Sequence, residues 1–246
     1  MSMRTARIFS LVATLLLAFS IPVAAQSERR IATTPDSDYF GFDLRTERDV
    51  SLDACEAVCL ADSDCRAFTY NTRAQWCFLK SDYSTLNPFP GAVAGRVVVN
   101  SGEPELGAPP TLDYVPQHMR DEAIRYRANL KLETPDESTG IVFLSSNAAS
   151  AMSAGDPRTA VEAQRAALVI DPEDAGLWAG LARAQFAIEP NSGTERTQRD
   201  RDGMSAALNA YALARTASAR ADSLAAVGLA LDNRDLYRPA LQAYEA

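Results

Sequence analysis

Four cysteines are the residues of this chain whose type and spacing could do chemistry: Cys55, Cys59, Cys65 and Cys77. Thiolates can hold zinc, but structural zinc sites use paired short knuckles, which the CxxxC, Cx5C and Cx11C spacings do not provide. A redox centre usually contains a CxxC motif, and the sequence has none. An even number of cysteines in an exported chain normally pairs, so we expect two disulfide bonds and no bound metal or cofactor.

The first 25 residues predict export through a secretory signal peptide. Two arginines precede an apolar stretch from Ile8 to Phe19, and small residues precede Gln26. The apolar stretch is short for a membrane span, although a retained anchor is the alternative. We expect cleavage between Ala25 and Gln26, no stable membrane span in the mature chain, and a periplasmic or secreted location in which the cysteines oxidise.

The charge of the chain argues against nucleic acid as a partner. The sequence contains 24 Lys and Arg residues against 32 Asp and Glu, a net charge of -8. Loss of the signal peptide would remove Arg4 and Arg7 and leave 22 basic against 32 acidic residues, a net charge of -10. A chain of this charge repels a phosphate backbone.

Other residues that catalyse reactions in enzymes have no suitable neighbours in the sequence. His118 is the single histidine and follows Pro116 at a predicted helix start, with no second histidine to share a metal. No nucleophile motif or phosphate-binding glycine loop occurs. Trp178 and Tyr211 fit apolar helix faces and are predicted to be core residues. We therefore expect no catalytic residues and a non-catalytic protein.

The cysteines require a helix and a sheet to position them. Ser51 is placed to cap a helix on which Cys55 and Cys59, four residues apart, share one face. The segments CRAFTYN and WCFLK follow with the alternation typical of strands. Four cysteines allow three pairings, and their spacing alone does not choose among them. We predict a small α+β module over residues 36–100.

The segment DYFGFDLRTERDVSLDACEAVCLADSDCRAFTYNTRAQWCFLKSDY resembles the PAN/Apple family along its whole length. The resemblance implies one disulfide between Cys55 and Cys77, which joins the helix to a strand, and another between Cys59 and Cys65. It also implies a binding unit for a protein or carbohydrate ligand. Recognition surfaces vary within the family, so the resemblance assigns no ligand-contacting residue.

The second half of the chain has the composition and periodicity of an all-α domain. Residues 101–116 are rich in Gly, Pro and Glu and form a predicted linker, either a stiff spacer or a docked strap. From residue 117 to 246, alanine is abundant and apolar residues recur at spacings of three and four. The stretch 190–203 is polar and indicates an insertion or a frayed helix start. Helices are expected at 141–154, 157–170, 175–188 and 204–219.

The phrase AGDPRTAVEAQRAALVIDPEDAGLWAGLARAQ resembles a tetratricopeptide repeat, with Ala160, Ala167 and Pro172 at matching positions. It departs from the usual pattern at Gln164, where a bulky aromatic residue is expected, and at Ala182, where glycine is common. The later phrase SLAAVGLALDNRDLYRPALQAYEA matches the pattern more closely. This resemblance implies a TPR-like scaffold whose groove binds a peptide.

The order of signal peptide, PAN-like module and alanine-rich helices resembles the N-terminal region of large bacterial alpha-2-macroglobulin-like proteins. That resemblance implies a protease-trapping protein whose bait and thioester segments lie downstream. The apolar pattern runs to Ala246 without a capping signal, so we expect the helical domain to continue beyond the chain end. The alternative is a complete periplasmic adaptor that binds a glycan or protein through its PAN module and a peptide through its helical groove.

Overall fold

The computed structural model describes residues 28–100, 102–133 and 136–246. The predicted signal peptide and its cleavage site between Ala25 and Gln26 lie outside these residues. Within the described chain, a five-stranded sheet with one helix is followed by seven further helices. None of the helices described is long and apolar enough to cross a membrane. The predicted fold class, a small disulfide-bonded α+β module followed by an all-α region, is confirmed.

One antiparallel sheet and one helix build the first module, and the order across the sheet is β1-β5-β3-β4-β2. Alternating side chains of the central strands point to opposite faces, and one face packs against the helix. That face buries Phe68, Tyr70 and Leu79 beside the cysteines. The elements are β1 (Glu28–Tyr39), β2 (Asp43–Glu47), α1 (Leu52–Ala61), β3 (Ala67–Asn71), β4 (Trp76–Lys80) and β5 (Leu86–Asn100).

The module begins earlier than its predicted start at residue 36. Strand β1 starts at Glu28 and pairs with β5 from Glu28 opposite Asn100 to Tyr39 opposite Leu86. Its sequence, ERRIATTPDSDY, is mostly polar and carries no alternating apolar pattern, because β1 is an edge strand of the sheet. Hydrogen bonding to β5 therefore makes this segment a strand, and a search for apolar periodicity overlooks it.

The second region contains seven helices in its described part; α2 packs mainly against α6, and from α3 onward each helix packs against its neighbours in sequence. Their bounds are α2 (Gln117–Leu130), α3 (Ile141–Ser153), α4 (Pro157–Ile170), α5 (Ala175–Ala187), α6 (Gly193–Leu213), α7 (Ala217–Asp232) and α8 (Tyr237–Glu245). Helices α5 and α7 also touch, as alternate helices of stacked hairpins do. The assignment to a TPR-like repeat stays a prediction.

The polar stretch 190–203 is neither an insertion nor a frayed end, because most of it forms the first half of α6. Ser192 caps this helix by accepting the Glu195 N–H at 3.1 Å. Arg199 is buried there, and its guanidinium donates to Asp200 at 2.6 Å and to the Ile188 carbonyl at 3.1 Å. Pairing of charges within the helix lets a polar sequence face the core. The predicted helix at 204–219 is in fact divided between α6 and α7.

The predicted linker is a docked strap in its described part, residues 102–116. Val115 is 1% exposed within the helical core. The Pro110 carbonyl accepts the Tyr211 hydroxyl at 3.0 Å, and Glu103 accepts the Ser218 N–H at the start of α7 at 2.9 Å. These bonds hold the strap along α6 and α7, so it does not act as a free spacer.

Asp82 joins the module to the helical region. The first N–H groups of a helix have no partner within the helix, and the residue that precedes α3 is a glycine without a capping side chain. The Asp82 carboxylate accepts the N–H groups of Val142 and Phe143, both at 2.9 Å. The adjacent Tyr83 carbonyl accepts the Ile141 N–H at 2.9 Å. The module therefore caps the helix.

An ion pair also crosses this junction, and an aromatic contact within the module lies beside it. Arg96 of β5 forms an ion pair with Asp171, which follows α4. The rings of Tyr39 and Tyr83 pack with their centroids 5.0 Å apart, and burial raises the pKa of the Tyr39 phenol to about 12 although the Arg96 charge opposes the shift. Burial likewise raises the pKa of Tyr83. The module and the helices are thus joined by a cap and an ion pair, and the Tyr83 ring packs against the helical core.

Substitution of Gly140 by alanine tests the junction. A Cβ at Gly140 would overlap the Asp82 carboxylate, whereas the backbone, at φ -88° and ψ 161°, suits alanine. The carboxylate would have to leave its three N–H donors, so we expect a loss of about 1–3 kcal/mol in unfolding free energy. Urea denaturation measures it. Gly193→Ala is the control, since its Cβ meets nothing within 4 Å; equal stability of the two variants would contradict the cap.

Alkaline pH should destabilise the folded protein through Tyr39. The unfolded phenol loses its proton near pH 10, whereas the folded one keeps it to about 12. The stabilisation that this raised pKa provides is complete below pH 10 and is lost as pH rises through 12. Tyr39→Phe should therefore lose less unfolding free energy than the wild type between pH 8 and pH 11, measured by urea denaturation. An identical loss in both proteins would show that Tyr39 does not couple to folding.

Candidate ligand-binding surface

Two disulfides fix α1 against the sheet. Cys55 is bonded to Cys77 of β4, and Cys59 is bonded to Cys65 in the loop before β3. This is the pairing that the PAN/Apple resemblance implies. All four cysteines are fully buried, and Ser51 caps the helix through the Ala54 N–H at 3.2 Å as predicted. A module with a small core gains about 2–4 kcal/mol from such a bridge.

Arg29 on β1 completes the other end of α1. Its guanidinium donates to the carbonyls of Leu60 at 3.2 Å, Asp62 at 3.0 Å and Cys65 at 2.7 Å. These carbonyls lie at the C-terminus of the helix and in the loop closed by the second disulfide, where the helix has no donors of its own. No pattern in the sequence indicated this role, because the predicted module began after Arg29. Only the pairing of β1 with β5 brings it to the helix end.

The face of the sheet opposite α1 carries the candidate surface, which we call the aromatic face and define as Arg48, Trp76 and Phe78. The Arg48 guanidinium lies over the Trp76 ring at 4.4 Å from its centroid, and the two aromatic rings meet edge to face at 6.3 Å. Both rings are partly exposed, and neither belongs to a core cluster of the described residues. Because side chains alternate along a strand, Phe68 and Tyr70 face α1, whereas Trp76 and Phe78 lie on the opposite face of the sheet.

The chemistry of the aromatic face suits recognition of a ligand. Arg48 is exposed and has neither a hydrogen bond nor an ion pair among the described residues, so its N–H donors are available. Stacking on Trp76 holds the guanidinium plane in place, which reduces the entropy lost when it binds. Tryptophan and arginine are the residue types that dominate binding energy at protein interfaces. Aromatic rings also pack against the apolar faces of sugars.

The structure also locates the other residues that the sequence singled out. His118 is exposed on α2, far along the chain from the module. Trp178 and Tyr211 are core residues as predicted, 0% and 7% exposed. Among the residues with described coordinates, no group of three His, Cys, Asp or Glu side chains is arranged to hold a metal.

Removal of the Arg29 side chain should destabilise the module. Its three hydrogen bonds come from a charged donor, so we expect Arg29→Ala to lose about 1.5–3 kcal/mol of unfolding free energy. Arg30→Ala is a matched control, because Arg30 is exposed and has no bonding partner among the described residues. It should change stability by less than about 0.5 kcal/mol. Denaturant unfolding of both variants measures the difference, and similar losses would refute the capping role.

Comparison with known proteins agrees with the module's architecture. Residues 30–99 match the family model described as PAN domain, which covers 70 of the 246 residues. The match begins two residues after β1 starts and ends within β5, so it includes the whole sheet core. A search of curated proteins found no match to the chain. Residues 30–99 are thus a PAN domain, and a helical region follows it.

Proposed function

We propose that this protein is an exported, non-catalytic binding protein whose PAN domain holds a protein or carbohydrate ligand at its aromatic face. PAN domains bind ligands of these two classes, and the match over residues 30–99 supports the proposal. Disulfides within a PAN domain suggest an extracellular or secreted protein. A periplasmic location and removal of a signal peptide remain part of the proposal.

The aromatic face is the observation that carries this function. The residues opposite the Trp76 and Phe78 rings on the adjacent strands are polar, so the rings remain partly exposed; they are Asn71 and Thr69 of β3 and Thr46 of β2. Such rings reduce the solubility of a protein unless a ligand covers them. Arg48 supplies free hydrogen-bond donors beside the rings. The combination of apolar area and directional donors gives both affinity and orientation.

The helical region acts as a scaffold in this proposal. The Asp82 cap and the Arg96–Asp171 ion pair fix the PAN domain on the helices, so the aromatic face keeps one direction relative to them. A preorganised surface loses less entropy on binding than one on a mobile domain. Binding of a peptide in a TPR-like groove, as in an adaptor, is a second possibility that rests on the sequence resemblance alone.

No contact or surface of the described residues supports a protease-trapping function. The resemblance to alpha-2-macroglobulin-like proteins rests on the order of segments along the chain, and the comparisons give it no support. Capture of proteases through downstream domains therefore stays a prediction from the sequence. The binding function proposed here does not depend on it, because the aromatic face lies within the PAN domain.

Replacement of Trp76 by alanine should abolish ligand binding without unfolding the domain. Loss of a central tryptophan at an interface typically costs 2 kcal/mol or more, so we expect a weakening of at least about thirtyfold. Binding would be measured on a glycan array and, for protein ligands, by photo-crosslinking in producing cells from a reactive residue introduced at Thr46. Thr46 is exposed and pairs with Phe78 across the sheet.

The crosslinking control is the same reactive residue at Asp53, which is exposed on α1 on the other side of the sheet. A glycan or a discrete crosslinked protein that depends on Trp76 and on the Thr46 position would support the proposal. Phe89→Ala, which removes an aromatic ring that is 52% exposed on β5, should leave binding unchanged. Equal binding by wild type and Trp76→Ala would contradict it.

A further inference from the structure

A cleft lies where the PAN domain meets the helical region, and we call it the junction cleft. Its volume is about 580 Å³, within the range of small-molecule sites, and it is shallow and widely open to solvent. The PAN domain contributes Phe42 and Ser81, while the start of α3 contributes Phe143 and Ser146. The cleft thus exists only when the two regions are docked. Ligand sites are frequent at such domain junctions.

Phe42 has a conformation that its own packing does not explain. Its φ is 58°, in the left-handed region that bulky residues rarely adopt. The other non-glycine residues with positive φ in the described chain are aspartates and one glutamine, which are polar turn residues. Phe42 also belongs to none of the described core clusters. Strain at an aromatic residue without core contacts is typical of a functional site.

The backbone around Phe42 holds its ring at the cleft. The Phe42 carbonyl accepts the Ser81 N–H at 2.9 Å and the Ser81 hydroxyl at 3.3 Å. The preceding Gly41 carbonyl accepts the ammonium group of Lys80, which is 3% exposed, at 2.9 Å. The strained turn is therefore tied to the end of β4. It is fixed in place before any ligand arrives.

Phe143 provides a second aromatic ring in the cleft. It is 62% exposed in the first turn of α3 and packs on no described core cluster. Its own N–H donates to the Asp82 carboxylate at 2.9 Å, which sets the position of the helix start. The ring is thus attached to a rigid backbone position beside the PAN domain. Two rings from separate regions line one cleft.

The polar side chains of the junction cleft are hydroxyls and one carboxylate. Asp82 is the single charged residue in the lining, and three N–H donors satisfy it. The hydroxyls of Ser138 and Thr139 donate to Asp136, which leaves their oxygens able to accept. Ser146 is exposed, and its hydroxyl has no bonding partner among the described residues. An anionic ligand would find no counter-charge in this lining.

We propose that the junction cleft binds a neutral carbohydrate. A sugar ring has apolar C–H faces that pack on aromatic rings and a rim of hydroxyls that exchange hydrogen bonds with serine and threonine. Both kinds of group line the cleft, and an uncharged sugar leaves no buried charge unpaired. An acidic peptide would lack a cationic partner, because the lining contains no Lys or Arg. The strained Phe42 and the exposed Phe143 are the two stacking platforms.

The junction cleft is separate from the aromatic face. Trp76 begins β4 and Ser81 follows its last residue, so the two surfaces lie at opposite ends of one strand. The five-residue separation corresponds to about 16 Å along a strand. This inference therefore does not rest on the ligand proposed for the aromatic face, and separate variants distinguish the two surfaces.

Saturation-transfer NMR with cellotriose, maltotriose and triacetylchitotriose tests the inference on the purified mature chain. We expect at least one of these neutral sugars to bind, and Phe42→Gly and Phe143→Ala each to weaken its binding by at least about tenfold. Phe42→Gly is designed to fold, because glycine adopts φ 58° without strain and the lost ring packs on no described core cluster. Thermal unfolding should show unchanged or raised stability for this variant.

Matched controls decide the outcome. Phe89→Ala should leave binding of the neutral sugar unchanged, since Phe89 does not line the junction cleft. Trigalacturonate, a charged sugar of similar size, should not compete for the site. The inference would be overturned if none of the three neutral sugars binds, if binding survives in the folded Phe42→Gly variant, or if trigalacturonate competes equally well.

Discussion

The contact between the Asp82 carboxylate and the first turn of α3 determines how the two regions of this protein are arranged. A helix start needs hydrogen-bond acceptors, and Gly140 cannot provide one from a side chain. The PAN domain supplies the carboxylate instead. Its negative charge also interacts favourably with the positive end of the helix dipole. Because any side chain at Gly140 would occupy the space of that carboxylate, the glycine and the aspartate depend on each other.

The PAN domain can serve as a rigid support because its helix is fixed at both ends. Ser51 caps the start of α1, and the two disulfides tie its buried face to β4 and to the loop before β3. Arg29 binds the carbonyls at its far end from a strand that is distant in sequence. A module with so small a core gains stability chiefly from such cross-links.

This rigidity has a direct consequence for binding. The strand β4 carries Trp76 of the aromatic face at its beginning and leads to Ser81 of the junction cleft at its end. Both surfaces are therefore positioned by the same strand, which a disulfide holds through Cys77. Exposed aromatic rings and the strained backbone at Phe42 lower the stability of the domain. The disulfides and the Asp82 cap offset that cost.

Features that depend on neighbours along the chain could be predicted from the sequence. The helix cap at Ser51, the strand segments CRAFTYN and WCFLK, and the helices near 141–153, 157–170 and 175–187 follow from local capping and periodicity. The disulfide pairing needed the family resemblance, because spacing allowed three solutions. Of the candidate surfaces, the sequence indicated only that Trp76 and Phe78 alternate with buried residues.

The tertiary structure alone decided the features that join distant parts of the chain. Strand β1 exists because it pairs with β5, and the polar first half of α6 is helical because its charges pair and pack. The Asp82 cap joins residues 60 positions apart, and no local pattern encodes such a partner. The sequence therefore determined that a disulfide-bonded α+β module precedes an all-α region. Long-range hydrogen bonds determined how the two regions dock and where the cleft between them lies. The reason is that a backbone donor can be capped by any acceptor that the fold brings near it.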